Sequence, residues 1–164
     1  MPITFLSGGD LLEADAEALV NAVNEVGVMG KGLALQFRDT FRASAREYSA
    51  ACARSEVSVG KVLMTRSGQL VGPAWIIHFP TKKHWRDPSR LEWVRDGLQD
   101  LVGVVRRHSI RSVALPALGC GLGGLRWADV RSLIEQAWND VPEVEVLVFE
   151  PKPATPVAAR QRKT

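Results

Sequence analysis

Apolar residues in this chain fall into short β-rich runs separated by longer stretches in which they recur every three or four positions. The short runs predict six strands, at residues 3–7, 18–21, 61–65, 75–79, 112–115 and 144–149. The longer stretches predict helices at 33–41, 43–54, 91–108 and 128–138. In the third of these, Leu91, Val94, Leu98, Leu101, Val102 and Val105 make one apolar stripe at helical spacing, which reads as core. Strands alternating with helices predict an α/β sheet covered by helices. Several strands run into glycine-rich or polar turns: Gly8-Gly9-Asp10, Asn21-Ala-Val-Asn24, Pro80-Thr-Lys-Lys83 and Pro116-Ala-Leu-Gly119. In open α/β sheets ligands collect outside the carboxyl ends of strands, so these turns are expected to converge on one crevice.

Composition narrows the picture. The 164 residues, 46% hydrophobic, suit one domain with an ample core. No apolar run reaches the roughly 18 residues of a membrane helix, and no basic stretch followed by an apolar segment opens the chain, so a cytoplasmic protein without membrane contact is expected. The two cysteines, Cys52 and Cys120, lack the spacing of a metal site or a disulfide framework and read as reduced thiols. Of the formal charge of +3, the segment 151–164 contributes +4 and residues 1–150 the remaining −1. That segment, rich in Pro and Ala, reads as a disordered basic tail or linker stub behind a domain at 1–150.

Two glycine clusters carry the first functional signal. Gly27-Val-Met-Gly30-Lys31-Gly32 runs directly into the helix that starts at Leu33, where glycines admit an anion close to backbone N–H groups and the helix terminus favours negative charge. It is not a P-loop, because Lys31 is followed by Gly32 and no metal-binding hydroxyl. Gly119-Cys-Gly121-Leu-Gly123-Gly124 contains the spacing GxGxxG, but one strand only follows it, too few for a dinucleotide fold. Together the two loops point to a diphosphate ligand.

Gly9-Asp10-Leu11, Asn21-Ala-Val-Asn24, the 27–32 loop and the 119–124 loop resemble the macrodomain family over most of residues 1–150. The resemblance implies a three-layer α/β/α fold with a mixed six-stranded sheet and a cleft for ADP-ribose. By position, Asp10 and Leu11 would meet the adenine, with Phe149 against its ring. Gly30, Lys31, Gly32 and Leu33, with Gly119, Cys120, Gly121, Leu122 and Gly123, would clasp the diphosphate and distal ribose, and Asn21 would bind loop backbone. Residues 28–34 and Thr81-Lys82 are similar to the branch that holds the terminal ADP-ribose protein glycohydrolases and the DarG-type macrodomains. The run Phe79-Pro-Thr-Lys82-Lys83-His-Trp85-Arg86 resembles the DarG type in particular. The resemblance to the eukaryotic protein glycohydrolase implies an acid where this chain has Gly123, and the acid is missing here, as in the DarG type.

That resemblance implies removal of ADP-ribose from thymidine bases of single-stranded DNA, as antitoxin to a DarT-type toxin. A reader of ADP-ribose without chemistry, and a hydrolase of ADP-ribose esters on protein acids, stand as alternatives. Lys82 is the expected catalytic residue: as a free amine, with further cations at Lys83 and Arg86 discouraging another positive charge, it would attack C1″ of the distal ribose. Asn24 is the second catalytic candidate, orienting the anomeric carbon through a ribose hydroxyl. Lys83, Trp85 and Arg86 combine an aromatic surface with cations, as binding of ADP-ribosylated single-stranded DNA requires. Cys120, without a neighbouring histidine, reads as a small residue that fits its loop, and neither a metal nor a cofactor is expected.

Overall fold

The computed structural model describes residues 3–152; the basic segment expected at 151–164 lies almost wholly outside the described residues. In chain order the elements are β1 (Ile3–Leu6), a short 3₁₀ turn (Leu11–Glu13), β2 (Ala18–Asn24), α1 (Gly32–Thr40), α2 (Arg42–Ala53), β3 (Leu63–Arg66), β4 (Trp75–Lys82), α3 (Leu91–Arg107), β5 (Ser112–Pro116), α4 (Trp127–Trp138) and β6 (Glu145–Phe149). Each predicted strand and helix is present. β2 and β4 run three residues further than their apolar patterns suggested, because polar Asn24 and Lys82 continue the ladder at its carboxyl end.

The strands form one sheet in the order β1-β6-β5-β2-β4-β3. Every neighbouring pair is parallel except β3 with β4, so the sheet is mixed. Parallel strands covered on both faces need apolar side chains pointing both ways, which is why residues 18–20 and 76–77 read as continuous apolar runs. Leu19 and Ile76 face α1 and α2, packing with Phe37, Phe41, Ala45 and Tyr48. Val20 and Ile77 face α3 and α4, packing with Val94, Leu98, Leu101, Ile134 and Trp138. The result is a three-layer α/β/α sandwich. Helix α3 lies so close to β4 that a Cβ on Gly97 would collide with the Phe79 ring, which leaves glycine as the residue that fits.

Among the described residues no helix is long and apolar enough to cross a membrane. Because five strands are parallel, the loops after β1, β2, β4 and β5 and the end of β6 all open at one edge of the sheet. This is the crevice geometry that the strand-end turns pointed to.

Candidate functional site

The loop after β2 is built on one side chain. Asn24 Oδ1 accepts from the backbone N–H groups of Val26 and Gly27, both at 3.0 Å, and of Val28 at 3.3 Å, while its Nδ2 donates to the Val28 carbonyl at 3.0 Å. Tyr48 on α2 donates its hydroxyl to the Asn24 carbonyl at 2.7 Å, and Asn24 Oδ1 lies 3.2 Å away. Tyr48 is fully buried, and that burial pushes its phenol far above the ordinary range, so it stays a donor. Met29 then plugs the loop into the core beneath α1 and α2. What remains at the surface is Gly30-Lys31-Gly32 at the start of α1, whose first turn has no side-chain cap and therefore presents open N–H groups.

This corrects one expectation. Asn21, read as the residue that binds loop backbone, lies fully buried in the middle of β2, and neither its Oδ1 nor its Nδ2 has a partner among the described residues. Loop binding falls to Asn24 instead, because that residue sits where the strand turns and the loop amides come within reach. One amide hydrogen of Asn24 is left for a ligand.

The loop after β5 is held differently. Cys120 N donates to the Ala117 carbonyl at 3.2 Å, Gly124 N to Gly121 O at 3.2 Å and Leu125 N to Gly119 O at 2.9 Å. Ser89, on the segment between β4 and α3, donates its N–H to the Gly123 carbonyl at 3.0 Å. A Cβ at Gly123 would run into the Ser89 hydroxyl and the Gly119 carbonyl. An acidic side chain therefore has no room at this place. Burial pushes the Cys120 thiol up to about 11, and its Sγ points at the Leu118 carbonyl 3.7 Å away, so it stays protonated and is a poor nucleophile. Gly121, Leu122 and Gly124 are exposed at the loop tip.

At the far end of the crevice, β6 ends in Phe149, whose ring edge packs against Gly9. Leu11 is buried beside it in the same cluster. Asp10 is exposed and caps the 3₁₀ turn through Oδ1, which accepts from Leu12 N at 3.0 Å; the second carboxylate oxygen stays free to accept from a ligand amine. Leu33 lies partly buried under the start of α1.

Next to β2 in the sheet, β4 ends in Lys82, at the same edge as the two glycine loops. The ladder between β2 and β4 carries an irregularity after Val23, which sets Asn24 opposite Lys82. The two residues expected to be catalytic are thus register neighbours on adjacent strands. Lys82 is partly buried, and its Nζ donates to the Trp85 carbonyl at 3.4 Å. The chain then turns back, with Asp87 N donating to His84 O and Arg86 N to His84 Nδ1. Trp85 is 40% exposed, with the Arg86 guanidinium 4.5 Å from its ring centre. Tyr48 and Ser89, which brace the two loops, were not singled out from the sequence. Tyr48 sits within the apolar face of a helix, and Ser89 carries no local sign of Gly123, which meets it from far along the chain.

Comparison with known proteins agrees with this fold. The family model described as Macro domain matches residues 20–134. A curated relative from Mycobacterium tuberculosis named DNA ADP-ribosyl glycohydrolase is 52% identical over 149 residues, covering 91% of this chain and 42% of the relative. The chain thus spans about two fifths of the length of the curated relatives it matches. Among solved structures, the macrodomain of Mycobacterium tuberculosis DarG superposes with a TM-score of 0.87 at 50% identity, covering 91% of this chain and 99% of that one. Thermosipho africanus DarTG in complex with ADP-ribose superposes with a TM-score of 0.84 at 31% identity, covering 96% of this chain and 44% of that one. Family model, relatives and fold lead to the same place: this chain belongs to the macro domain family.

Proposed function

We propose that this domain is an ADP-ribosyl hydrolase that removes ADP-ribose from thymidine bases of single-stranded DNA, working in the cytoplasm as antitoxin to a DarT-type toxin. One observation carries the chemistry: Lys82 ends β4 opposite Asn24, at the edge of the sheet where two loops suited to a diphosphate also open. The similarity to relatives named DNA ADP-ribosyl glycohydrolase supports the substrate.

In this reading, open N–H groups at Gly30–Leu33 and the tip of the 119–124 loop grip the diphosphate, and Asp10, Leu11 and Phe149 hold the adenine. The free hydrogen of the Asn24 amide orients a hydroxyl of the distal ribose. The Lys82 nitrogen attacks C1″; the bond from C1″ to the base nitrogen breaks, its electron pair leaves with the base, and the base takes up a proton released by the attacking nitrogen. Water then hydrolyses the lysine adduct, releasing ADP-ribose and restoring Lys82. Lys83, Trp85 and Arg86 hold the DNA beside the cleft.

The test is release of ADP-ribose from a thymidine-modified single-stranded oligonucleotide. Wild-type protein removes the modification, and Lys82→Ala loses turnover by more than about a thousandfold while keeping its affinity for free ADP-ribose. Substrate left intact by the wild type after prolonged reaction overturns the activity. A Lys82→Ala variant as fast as the wild type overturns the role of the lysine.

A further inference from the structure

The segment that follows Lys82 does more than carry Trp85. The next residue, Lys83, reaches across to the first turn of α3, where its Nζ lies 5.7 Å from the centre of the Trp93 ring. Arg90, which caps the same helix, places its guanidinium 5.7 Å from that ring as well. Trp93 is partly buried, and Lys83 and Arg90 are exposed. Residues 82–93 hold four cations, Lys82, Lys83, Arg86 and Arg90, against two carboxylates, Asp87 and Glu92. Glu92 meets Arg90 at 3.6 Å, but both side chains are about half exposed or more, so this pair is weak and readily exchanged for a phosphate.

Two tryptophans, each with its own cations, therefore lie on one continuous stretch that starts at the proposed catalytic lysine. The Trp85 side serves the modified nucleotide. Trp93 lies beyond it, with cations near the outer limit of the range for an attraction to the ring. Such loosely held cations can turn outward to phosphates when a base comes onto the ring. Stacking on an aromatic face is tolerant of sequence, because each base has a π-face, and flanking cations supply the backbone contact.

We propose that Trp93, with Lys83 and Arg90, is a second stacking station, and that it binds an unmodified nucleotide flanking the ADP-ribosylated one in a single-stranded polynucleotide. The proposal rests on the reading that modified DNA is the substrate. It adds that the domain recognises a strand rather than a lone modified nucleoside. The 83–93 segment is anchored behind the station as well, since Ser89 N–H binds the Gly123 carbonyl, which ties the strand path to the loop that holds the diphosphate.

The experiment compares two substrates, ADP-ribosylated thymidine as the free nucleoside and the same group within a short single-stranded oligonucleotide. Wild-type protein is expected to show a kcat/KM about tenfold higher on the oligonucleotide, expressed through KM, from the stacking of one base. Trp93→Ala is expected to remove that advantage and leave hydrolysis of the free nucleoside at the wild-type rate. Arg90→Gln, a change on the surface, is expected to lower the oligonucleotide's salt slope by about 0.7. Equal kcat/KM on both substrates for the wild type overturns the station while leaving the activity standing. So does an oligonucleotide KM left unchanged both by Arg90→Gln and by a folded Trp93→Ala, in which case the two cations merely fasten the segment to α3. Failure of the wild type to release ADP-ribose from either substrate instead overturns the function on which the proposal rests.

Discussion

The two glycine loops look alike as sequence, each a cluster of glycines following an apolar strand, yet they are held by opposite means. The 25–32 loop hangs on a polar side chain, with Asn24 gripping three amides and one carbonyl. Behind Asn24 stands Tyr48, and behind Tyr48 is His78, stacked on it with ring centres 5.1 Å apart and bonded through Nε2 to Ser44 at 2.9 Å. The 119–124 loop is held by backbone hydrogen bonds and by the absence of side chains, since Gly123 leaves space that Ser89 fills. The first loop can be loosened by taking one polar group away. The second is disturbed by adding atoms.

Breaking the first loop is expected to have the largest effect. Asn24→Ala leaves three N–H groups, the Val28 carbonyl and part of the Tyr48 bonding without partners. Denaturant unfolding should show a loss of about 3 kcal/mol or more, and calorimetry a fall in ADP-ribose affinity of at least about tenfold. Unchanged stability with weaker binding would mean that Asn24 acts on the ligand and not on the loop.

The second loop gives a smaller, steric effect. Gly123→Ala should destabilise by about 1–3 kcal/mol, and Ser89→Gly in the same chain should recover part of that loss. Recovery is partial because the Gly119 carbonyl still crowds the new methyl group. A Gly123→Ala protein that melts with the wild type would remove the steric account altogether.

The third effect is silent at neutral pH and separates the supports of the two loops. Burial lowers the His78 imidazole to about 3 from its ordinary 6.5, so the folded protein keeps it neutral. The unfolded chain takes up a proton as pH falls through about 6.5, and the folded protein does not until about 3. Stability from this group is therefore complete above about pH 6.5 and is lost as pH falls between those values, by up to about 1.4 kcal/mol per unit. His78→Gln should flatten this part of the acid limb relative to wild type. Parallel stability profiles for the two proteins over that range would show that the histidine does not titrate in this way.

Much of the architecture was legible in the sequence. The β-rich run at 75–79 read as a strand, and the stripe from Leu91 to Val105 read as the buried side of a helix. The glycine clusters, and Lys82 at a strand end, marked the crevice because strand ends are where parallel sheets open. The exchange between Asn21 and Asn24 was not legible. The two share a residue type, a strand and a neighbourhood in sequence, and they differ in whether loop amides fold back within hydrogen-bond reach. Tyr48, Ser89 and Trp93 were hidden for the same reason, since each acts on a partner far away along the chain or across a turn.

Taken alone, the sequence determined which segments become strands and helices, because apolar periodicity is local and burial follows it. It also marked the loops able to approach an anion, because a missing side chain is a property of the residue itself. Tertiary structure decided which asparagine holds the first loop, why position 123 admits glycine and nothing larger, and that Lys82 faces Asn24 across the ladder. Hydrogen bonds and steric exclusion act over a few ångströms between groups that the chain order keeps far apart, so they exist only once the sheet has assembled.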